Sequence, residues 1–346
     1  MTRLRLLLTA GGIVLKLNNE TCPGFKNRYN RVMKIAVFTD KSSFTPDQQR
    51  RLATLGKVVY SNSSENLSDD KLVEIASDSE IIAPDPDNFG GFETARPKLT
   101  RVMKSLPNLQ AVCLSTTSFG WVDLEYCRKR EIKVSNVPGY SRESVAEHTL
   151  AMLLCLAKQI ILTDRRTQQG KYKLEMGTEL KGKTLGIIGL GNIGSRVAEL
   201  GLGMGMNVVA FNRSPKKQTG VEMVSLDELL KQADAISLHT THEDGNKNLL
   251  DKRKIAKMKK GVLIVNTVDR ELIDETELAR ALRSGQVGGY AYEAEDLKKT
   301  PLANLENVVD LRGFGWYTKE ALANLYEIWA ENIVAATSGK PRNLIK

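Results

Sequence analysis

The chain has 346 residues, 41% of them hydrophobic, which is enough to build two domains of ordinary size, each with its own core. Its net charge of +9 would fit a nucleic-acid or membrane partner if the charge were spread along the chain. Residues 1–32 hold six Lys or Arg and one Glu, however, so +5 of the net charge lies there, and the rest of the chain shows no interleaved basic and aromatic residues. We therefore expect neither a nucleic acid nor a membrane as a partner.

The cysteines and histidines argue against metal and disulfide sites. They show neither C-x-x-C spacing nor an H-E-x-x-H pair, so we expect no metal, no disulfide framework and a reducing, cytoplasmic location. These residues are Cys22, Cys113, Cys127, Cys155, His148, His239 and His242.

Residues 1–32 precede the segment Met33–Phe38, which reads as the natural start of a first strand. Their apolar patch, Leu6–Leu15, is broken by Gly11 and Gly12 and is too short to span a bilayer. No clear cleavage site follows the patch, as one would after a signal peptide. We interpret residues 1–32 as a disordered extension or a misassigned start.

From residue 33 onward, strand and helix signals alternate. This alternation predicts a parallel, doubly wound sheet. A capping box at Thr45 and Gln48 begins the first helix. The predicted strands are Lys34–Phe38, Lys57–Tyr60, Ile81–Ala83, Ala111–Leu114 and Lys133–Ser135, and the helices between the later strands are Ser68–Ala76, Thr94–Lys104 and Asp123–Lys129.

A single long apolar helix is predicted next, from about residue 143 to residue 165, with Ser144 and Glu147 as capping residues. Its uninterrupted apolar stretch is too short for a membrane span, so the pattern indicates a buried or interface helix. We interpret His148 on this helix as a structural residue and not as a catalyst.

The segment Lys183–Gly194 combines a buried strand, a tight turn and a helix start. Gly189, Gly191 and Gly194 match the G-x-G-x-x-G fingerprint, in which the glycines serve the turn, the close approach of a pyrophosphate and the packing of helix on strand. A helix-compatible segment and a second strand, Asn207–Phe211, follow in the expected order. The pattern therefore predicts a dinucleotide-binding unit, with a structural βαβ turn as the alternative.

The end of that second strand indicates which dinucleotide binds. An NAD site would place Asp or Glu there, but the chain has Asn212, Arg213 and Ser214, followed by Lys216 and Lys217. Arg213, the Ser214 hydroxyl and one of the two lysines would bind a 2′-phosphate through charge-assisted hydrogen bonds. NADP(H) is therefore favoured over NAD(H), with a solvated basic loop as the alternative interpretation.

The remaining signals complete a second sheet. Together they predict two doubly wound α/β domains, a flavodoxin-like substrate domain of residues 33–134 plus 313–346 and a Rossmann cofactor domain of residues 135–312. We expect the active-site cleft between the two domains and a closing helix that returns to the first. The later strands are Ala235–Leu238, Val262–Asn266, Gly288–Tyr292 and Val308–Leu311, and the later helices are one capped by Ser225 and Glu228, Lys252–Met258, Glu275–Ser284 and Thr318–Thr337.

From Met33 to its end, the chain resembles the D-isomer-specific 2-hydroxyacid dehydrogenase family, which includes glyoxylate/hydroxypyruvate reductases and phosphoglycerate dehydrogenase. The resemblance is carried by the segments Ser118–Asp123 and Asn136–Glu147, the glycine fingerprint and Ser237–His239. It implies reduction of a 2-oxo acid by a nicotinamide cofactor and a homodimer formed through the cofactor domain. The cofactor contacts that we assign are Gly189, Gly191, Asn192, Ile193, Gly194, Asn212, Arg213, Ser214, Lys217, His239, Thr240, Thr267 and Glu293.

The family uses an Arg on the substrate, a His as general acid and a Glu that orients the His, and this sequence departs at all three places. Asp269 takes the arginine position with Arg270 one residue later, and Gly313 takes the histidine position. Either Glu295 or Asp296 would supply the carboxylate, in a loop that is about four residues shorter. Arg270 and Arg312 are the candidate substrate anchors, and His242 or Tyr317 is the candidate proton donor.

Three outcomes stay open at this point. The chain is a reductase of 2-oxo acids with a rebuilt site, or a dehydrogenase of a different, larger or phosphonate-bearing acid, or a non-catalytic NADP-binding regulator or scaffold. Hydride arriving at a carbonyl carbon leaves an alkoxide that must be protonated or held electrostatically, and a glycine supplies neither function.

Overall fold

The structure, a computed structural model, describes residues 32–240, 245–294 and 300–345, together with a small antiparallel pair of strands, Leu8–Thr9 and Gly12–Ile13. Apart from this pair and Val32, the expectation for residues 1–32 lies outside the described residues.

Five parallel strands form the first sheet, in the order β2-β1-β3-β4-β5. This is the flavodoxin-like order that was predicted. The predicted capping box opens α1, where Thr45 and Gln48 each accept a backbone N–H of the other. The elements are β1 (Lys34–Val37), α1 (Pro46–Ala53), β2 (Lys57–Tyr60), α2 (Asp69–Ala76), β3 (Ile81–Ala83), α3 (Phe92–Lys104), β4 (Ala111–Cys113), α4 (Leu124–Lys129) and β5 (Lys133–Ser135).

Seven parallel strands form the second sheet, in the order β8-β7-β6-β9-β10-β11-β12. The chain reverses direction across the sheet between β6 and β9, as in a dinucleotide-binding domain. The elements are α5 (Arg142–Ala157), α6 (Ile160–Gln168), β6 (Thr184–Ile188), α7 (Asn192–Gly203), β7 (Asn207–Phe211), β8 (Val221–Met223), α8 (Leu226–Gln232), β9 (Ala235–Leu238), α9 (Lys252–Ile255), β10 (Val262–Asn266), α10 (Glu275–Ser284), β11 (Val287–Glu293) and β12 (Val308–Leu311). The last helix of the chain, α11 (Lys319–Thr337), follows them.

The central strands coincide with the predicted ones because helices cover both of their faces. Every residue of β9 and β10 is buried, so each reads in the sequence as an unbroken apolar run. The edge strand β8 was missed, since it has three residues, none of them buried, and therefore no apolar run.

The prediction of one long helix over residues 143–165 is wrong. The chain bends by 63° between α5 and α6, where Gln159 adopts a left-handed conformation with φ of 55°. The carbonyl of Ala157 accepts the amide of Thr178 at 2.7 Å, so a later segment of the chain satisfies this end of α5. The predicted cap is also wrong, because α5 begins at Arg142 and the Ser144 hydroxyl donates to the carbonyl of Gly315.

No single helix within the described residues is long and apolar enough to cross a membrane. In the same part of the chain, α5 and α6 have the required length and composition when taken together, and the bend of 63° separates them.

The last helix packs on the first sheet. Trp329 and Ile333 of α11 are fully buried against Ile35 and Val37 of β1, and the Trp329 indole donates to the carbonyl of Cys113 at 2.7 Å. Beyond α11, the amide of Ile345 bonds to the edge strand β5. This packing places the closing helix on the first sheet, and the division into residues 33–134 plus 313–346 and residues 135–312 stays a proposal.

Candidate cofactor site and substrate cleft

Two glycines between β6 and α7 are required by the packing of the backbone. Gly189 has φ of +99°, and a Cβ there would lie 2.7 Å from the backbone of His239 and Thr240. A Cβ on Gly194 would lie 2.1 Å from the carbonyl oxygen of Gly189. These two positions therefore bring the start of α7 and the end of β9 against the end of β6.

Gly191 is different, because a Cβ there would meet nothing within 4 Å. The protein itself therefore does not require a glycine at this position. Gly191 is the N-cap of α7 and makes no side-chain cap, so the first amides of the helix, including those of Asn192 and Ile193, receive no hydrogen bond from a capping side chain. An open helix N-terminus above a glycine fits the pyrophosphate of a dinucleotide.

Asn212 joins the glycine loop to the loop after β7. Its side-chain oxygen accepts the amide of Leu190 at 2.9 Å, and its side-chain nitrogen donates to the carbonyl of Ser214 at 2.7 Å. Lys216 donates to the carbonyl of Leu190 at 2.6 Å, so Lys216 reaches back to the glycine loop. Arg213, Ser214 and Lys217 are exposed beside it.

Two polar side chains at the ends of β9 and β10 are buried and bear on the fit of a cofactor. Nε2 of His239 lies 2.7 Å from the Ser237 hydroxyl, whereas its Nδ1 is buried with no hydrogen-bond partner in the described structure. Burial lowers the pKa of His239 to about 3, so the imidazole is neutral at physiological pH. The Thr267 hydroxyl is likewise buried without a partner among the described residues. These groups fit a bound nicotinamide cofactor, which would supply the partners that they lack.

A cleft of about 590 Å³ opens beside these strand ends, between the two domains. Glu93, from the start of α3, lies on its first-domain side, and residues after β10 and β11 form the opposite wall. Two cations, Lys247 and Arg270, lie among the described lining residues. Five acidic residues line the described part of the cleft, and we call them the cleft carboxylates: Glu93, Asp269, Glu271, Glu275 and Glu293.

Arg270 lies in the wall of this cleft, where Glu275 holds its guanidinium. Nε and Nη2 donate to the two oxygens of Glu275 at 2.6 and 2.8 Å, and the guanidinium carbon lies 5.8 Å from the centre of the Tyr292 ring. The Glu275 hydrogen bonds raise the pKa of Arg270. Asp269 accepts the amide of Glu271 at 2.8 Å and so begins a short 3₁₀ turn, Arg270–Leu272.

A second pair of polar side chains, His148 and Glu293, was not anticipated as a unit. Nε2 of His148 lies 3.2 Å from Oε1 of Glu293, although the ring is not aligned for a hydrogen bond. The same oxygen accepts the amides of Phe314 and Gly315, each at 2.9 Å. Burial raises the pKa of Glu293, but these three contacts outweigh burial and leave its pKa below the ordinary value. Glu293 is therefore ionised at neutral pH.

The other catalytic candidates are not brought together in the described structure. Arg312 and Tyr317 are exposed, and neither is among the described residues that line the cleft. His242, Glu295 and Asp296 lie outside the described residues. The contacts of Arg270 and His148 had no signal in the sequence beyond the presence of Glu275 five residues after Arg270.

Comparison with known proteins gives concordant matches. The family described as D-isomer specific 2-hydroxyacid dehydrogenase, NAD binding domain, matches residues 150–310. A glyoxylate reductase of Aeropyrum pernix is 34% identical, over 70% of this chain and 78% of the relative. A hydroxypyruvate reductase of Thermotoga maritima is 33% identical, over 80% of this chain and 90% of the relative. Among solved structures, an acyclic imino acid reductase in complex with NADPH and D-Arg superposes with a TM-score of 0.78 at 27% identity, covering 91% of this chain and all of that one.

Proposed function

The chain belongs to the D-isomer-specific 2-hydroxyacid dehydrogenase family of NAD(P)-dependent oxidoreductases, and we propose that it transfers a hydride between NADPH and a small 2-oxo or 2-hydroxy acid through a rebuilt catalytic site. The observation that carries the proposal is the open space at Gly191 above the start of α7, next to buried polar groups without partners at the ends of β9 and β10. The substrate cleft adjoins this arrangement.

A bound nicotinamide supplies or accepts the hydride. The chain then has to anchor the acid, orient its reacting carbon and supply a proton to the oxygen. Arg270 and Arg312 are the proposed anchors, and Glu295 and His242 are the proposed proton-handling groups. Glu293 and His239 would face the nicotinamide from the ends of β11 and β9.

Reductase activity is tested by following NADPH oxidation with glyoxylate, hydroxypyruvate and bulkier or phosphonate-bearing 2-oxo acids. We expect slow turnover, since Gly313 donates no proton and Asp269 repels a substrate carboxylate. Tight NADPH binding without turnover of any acid would contradict the proposal and would favour the alternative, a non-catalytic NADP-binding regulator or scaffold.

We propose that NADPH binds in preference to NADH through Arg213, Ser214 and Lys217, and a structural neighbour that carries NADPH supports this assignment. Replacing Arg213 with Asp is expected to weaken NADPH binding by about 10- to 100-fold and to favour NADH, because a charge-assisted bond becomes a repulsion. Fluorescence titration of both cofactors measures the change.

The matched control for this substitution is Lys260→Asp, which makes the same change of charge at an exposed position before the amino end of β10. It should leave both affinities unaltered, since the cofactor binds at the opposite ends of the strands. Equal affinities for NADPH and NADH in the unaltered protein would refute the assignment.

We propose that the chain forms a homodimer through its cofactor domain and acts in the cytoplasm. The segment after α6 supports the dimer, because Tyr172, Leu174 and Met176 are 86%, 81% and 96% exposed. Three large apolar side chains in one short segment are costly to leave in water, and a second copy of the chain would cover them.

A further inference from the structure

We propose that the group reduced in this cleft is the protonated imine of a 2-oxo acid, an iminium, and not the free 2-oxo acid. This inference rests on the proposed function and names the substrate class for the same site. The glycine loop and the ends of β10 and β11 fix the position of the site. The charge of the cleft is used only to distinguish between classes of substrate.

The charge of the cleft favours a substrate that carries a positive charge. Its described lining contains five carboxylates and two cationic side chains. A 2-oxo acid is an anion, which such a lining repels. The iminium of the same acid carries one positive charge beside its carboxylate. The cleft carboxylates attract this positive charge, which lies on the C=N group that accepts the hydride.

Both cations in the lining contact carboxylates of the same wall. Arg270 makes its two-pronged contact with Glu275, and Lys247 lies 3.2 Å from Glu271. Arg270, a proposed anchor of the substrate carboxylate, would have to share its guanidinium with Glu275, so the cleft attracts a carboxylate less than its two cations alone suggest. Asp269 stands where the resembling family has its substrate-binding arginine, and it lines the cleft from the turn that follows β10.

The chemistry of an iminium also fits a site without a proton donor at residue 313. A carbonyl carbon that receives a hydride pushes its π electron pair onto oxygen, and the resulting alkoxide must take a proton within the site. An iminium carbon that receives the same hydride pushes the C=N pair onto nitrogen, which loses its positive charge and becomes a neutral amine. The nicotinamide is left oxidised, and the amine takes its proton from water. No acid is needed during hydride transfer.

The cleft carboxylates would keep the substrate nitrogen protonated. A neutral imine is a poor hydride acceptor, and negative charge nearby raises the pKa of its nitrogen and keeps it protonated. Asp269 lies in the turn that follows β10 and Glu293 is the last residue of β11, so both line the cleft from the strand ends at which we propose that the nicotinamide binds. The two would act as electrostatic partners of the substrate and would not transfer protons.

The decisive experiment compares three substrates with NADPH: pyruvate alone, pyruvate with methylamine, and the cyclic imine Δ1-piperideine-2-carboxylate. We expect kcat/KM for the cyclic imine to exceed that for pyruvate by at least about 100-fold, with N-methylalanine formed from pyruvate and methylamine. Equal rates for pyruvate with and without methylamine, and no reduction of the cyclic imine, would overturn the iminium inference and leave the proposed function standing. No NADPH oxidation with any of the three, nor with the 2-oxo acid panel, would overturn both.

Substitutions in the cleft test whether the carboxylates act on the substrate. Asp269→Asn keeps an oxygen that caps the amide of Glu271 and removes the charge, so we expect kcat/KM for the cyclic imine to fall at least about tenfold while the Kd of NADPH stays constant. Glu93→Gln, on the opposite side of the cleft, is also expected to lower kcat/KM for the cyclic imine. This variant does not affect the cap that Asp269 makes with the amide of Glu271. Glu222→Gln removes an exposed carboxylate from the distant edge strand β8 and should change nothing. Unchanged imine reduction in both cleft variants would overturn the inference.

Discussion

Replacing Gly191 with Ala is expected to weaken NADPH binding by at least about 100-fold and to leave the melting temperature of the cofactor-free protein unchanged. A methyl group at this position meets no protein atom within 4 Å, and the backbone has φ of −79°, which Ala adopts readily. The same methyl would occupy the space through which the pyrophosphate reaches the amides that open α7. Loss of two charge-assisted bonds of about 1.5 kcal/mol each corresponds to about 100-fold in affinity. Fluorescence titration and thermal unfolding measure the two quantities.

Two other glycines of the same helix provide the controls. Gly203 at the far end of α7 also has open space, so Gly203→Ala should bind NADPH normally and gain up to about 1 kcal/mol of stability. Gly194→Ala should lose both binding and stability, because its Cβ would lie 2.1 Å from the carbonyl oxygen of Gly189. Normal NADPH affinity in Gly191→Ala would show that the pyrophosphate does not lie over this turn.

The cofactor domain could be predicted from the sequence because its signals are local. The strand Thr184–Ile188, the three glycines and the helix that follows lie within one continuous segment, and Gly189 and Gly194 are explained by atoms of that segment or of the adjoining strand end. Strands that are buried on both faces, such as Val262–Asn266, can also be predicted from their apolar composition alone.

The features that were missed depend on contacts between distant parts of the chain. Gln159 interrupts the predicted long helix where Thr178 bonds to Ala157, a contact for which the helix pattern itself holds no signal. His148 and Glu293 are 145 residues apart and meet only because α5 packs against β11. A histidine in an apolar helix is therefore interpreted from the sequence as a structural residue, because the sequence does not show which distant side chain it contacts.

The substituted positions of the substrate site were visible in the sequence, but their consequence was not. Asp269, Arg270 and Gly313 were recognised as departures from the resembling family, and the pairing of Arg270 with Glu275 became apparent only in the folded chain. Because that contact engages two nitrogens of the guanidinium, Arg270 is a weaker candidate for an anion anchor than its neighbourhood in the sequence suggests.

The double substitution Asp269→Arg with Gly313→His is expected to raise the reduction of hydroxypyruvate by at least about 100-fold, the lower end of what a positioned general acid contributes. The arginine would replace a repulsive carboxylate with a fork that binds the substrate carboxylate, and the imidazole would give the alkoxide its proton. Glu293 already accepts the amides of Phe314 and Gly315, so the loop that would carry the new histidine is held in place. NADPH oxidation with hydroxypyruvate, compared with each single variant, measures the gain.

The same double variant is expected to reduce Δ1-piperideine-2-carboxylate at least about tenfold more slowly than the unaltered protein, because the arginine places a positive charge beside a substrate that must stay protonated. Opposite changes for the two substrates would identify residues 269 and 313 as the positions that decide between a carbonyl and an iminium. Gly313→His alone should leave imine reduction nearly unchanged, since it adds a proton donor that this reaction does not use. A gain in the reduction of both substrates would contradict the charge argument, because it would mean that the native carboxylate at 269 serves neither reaction.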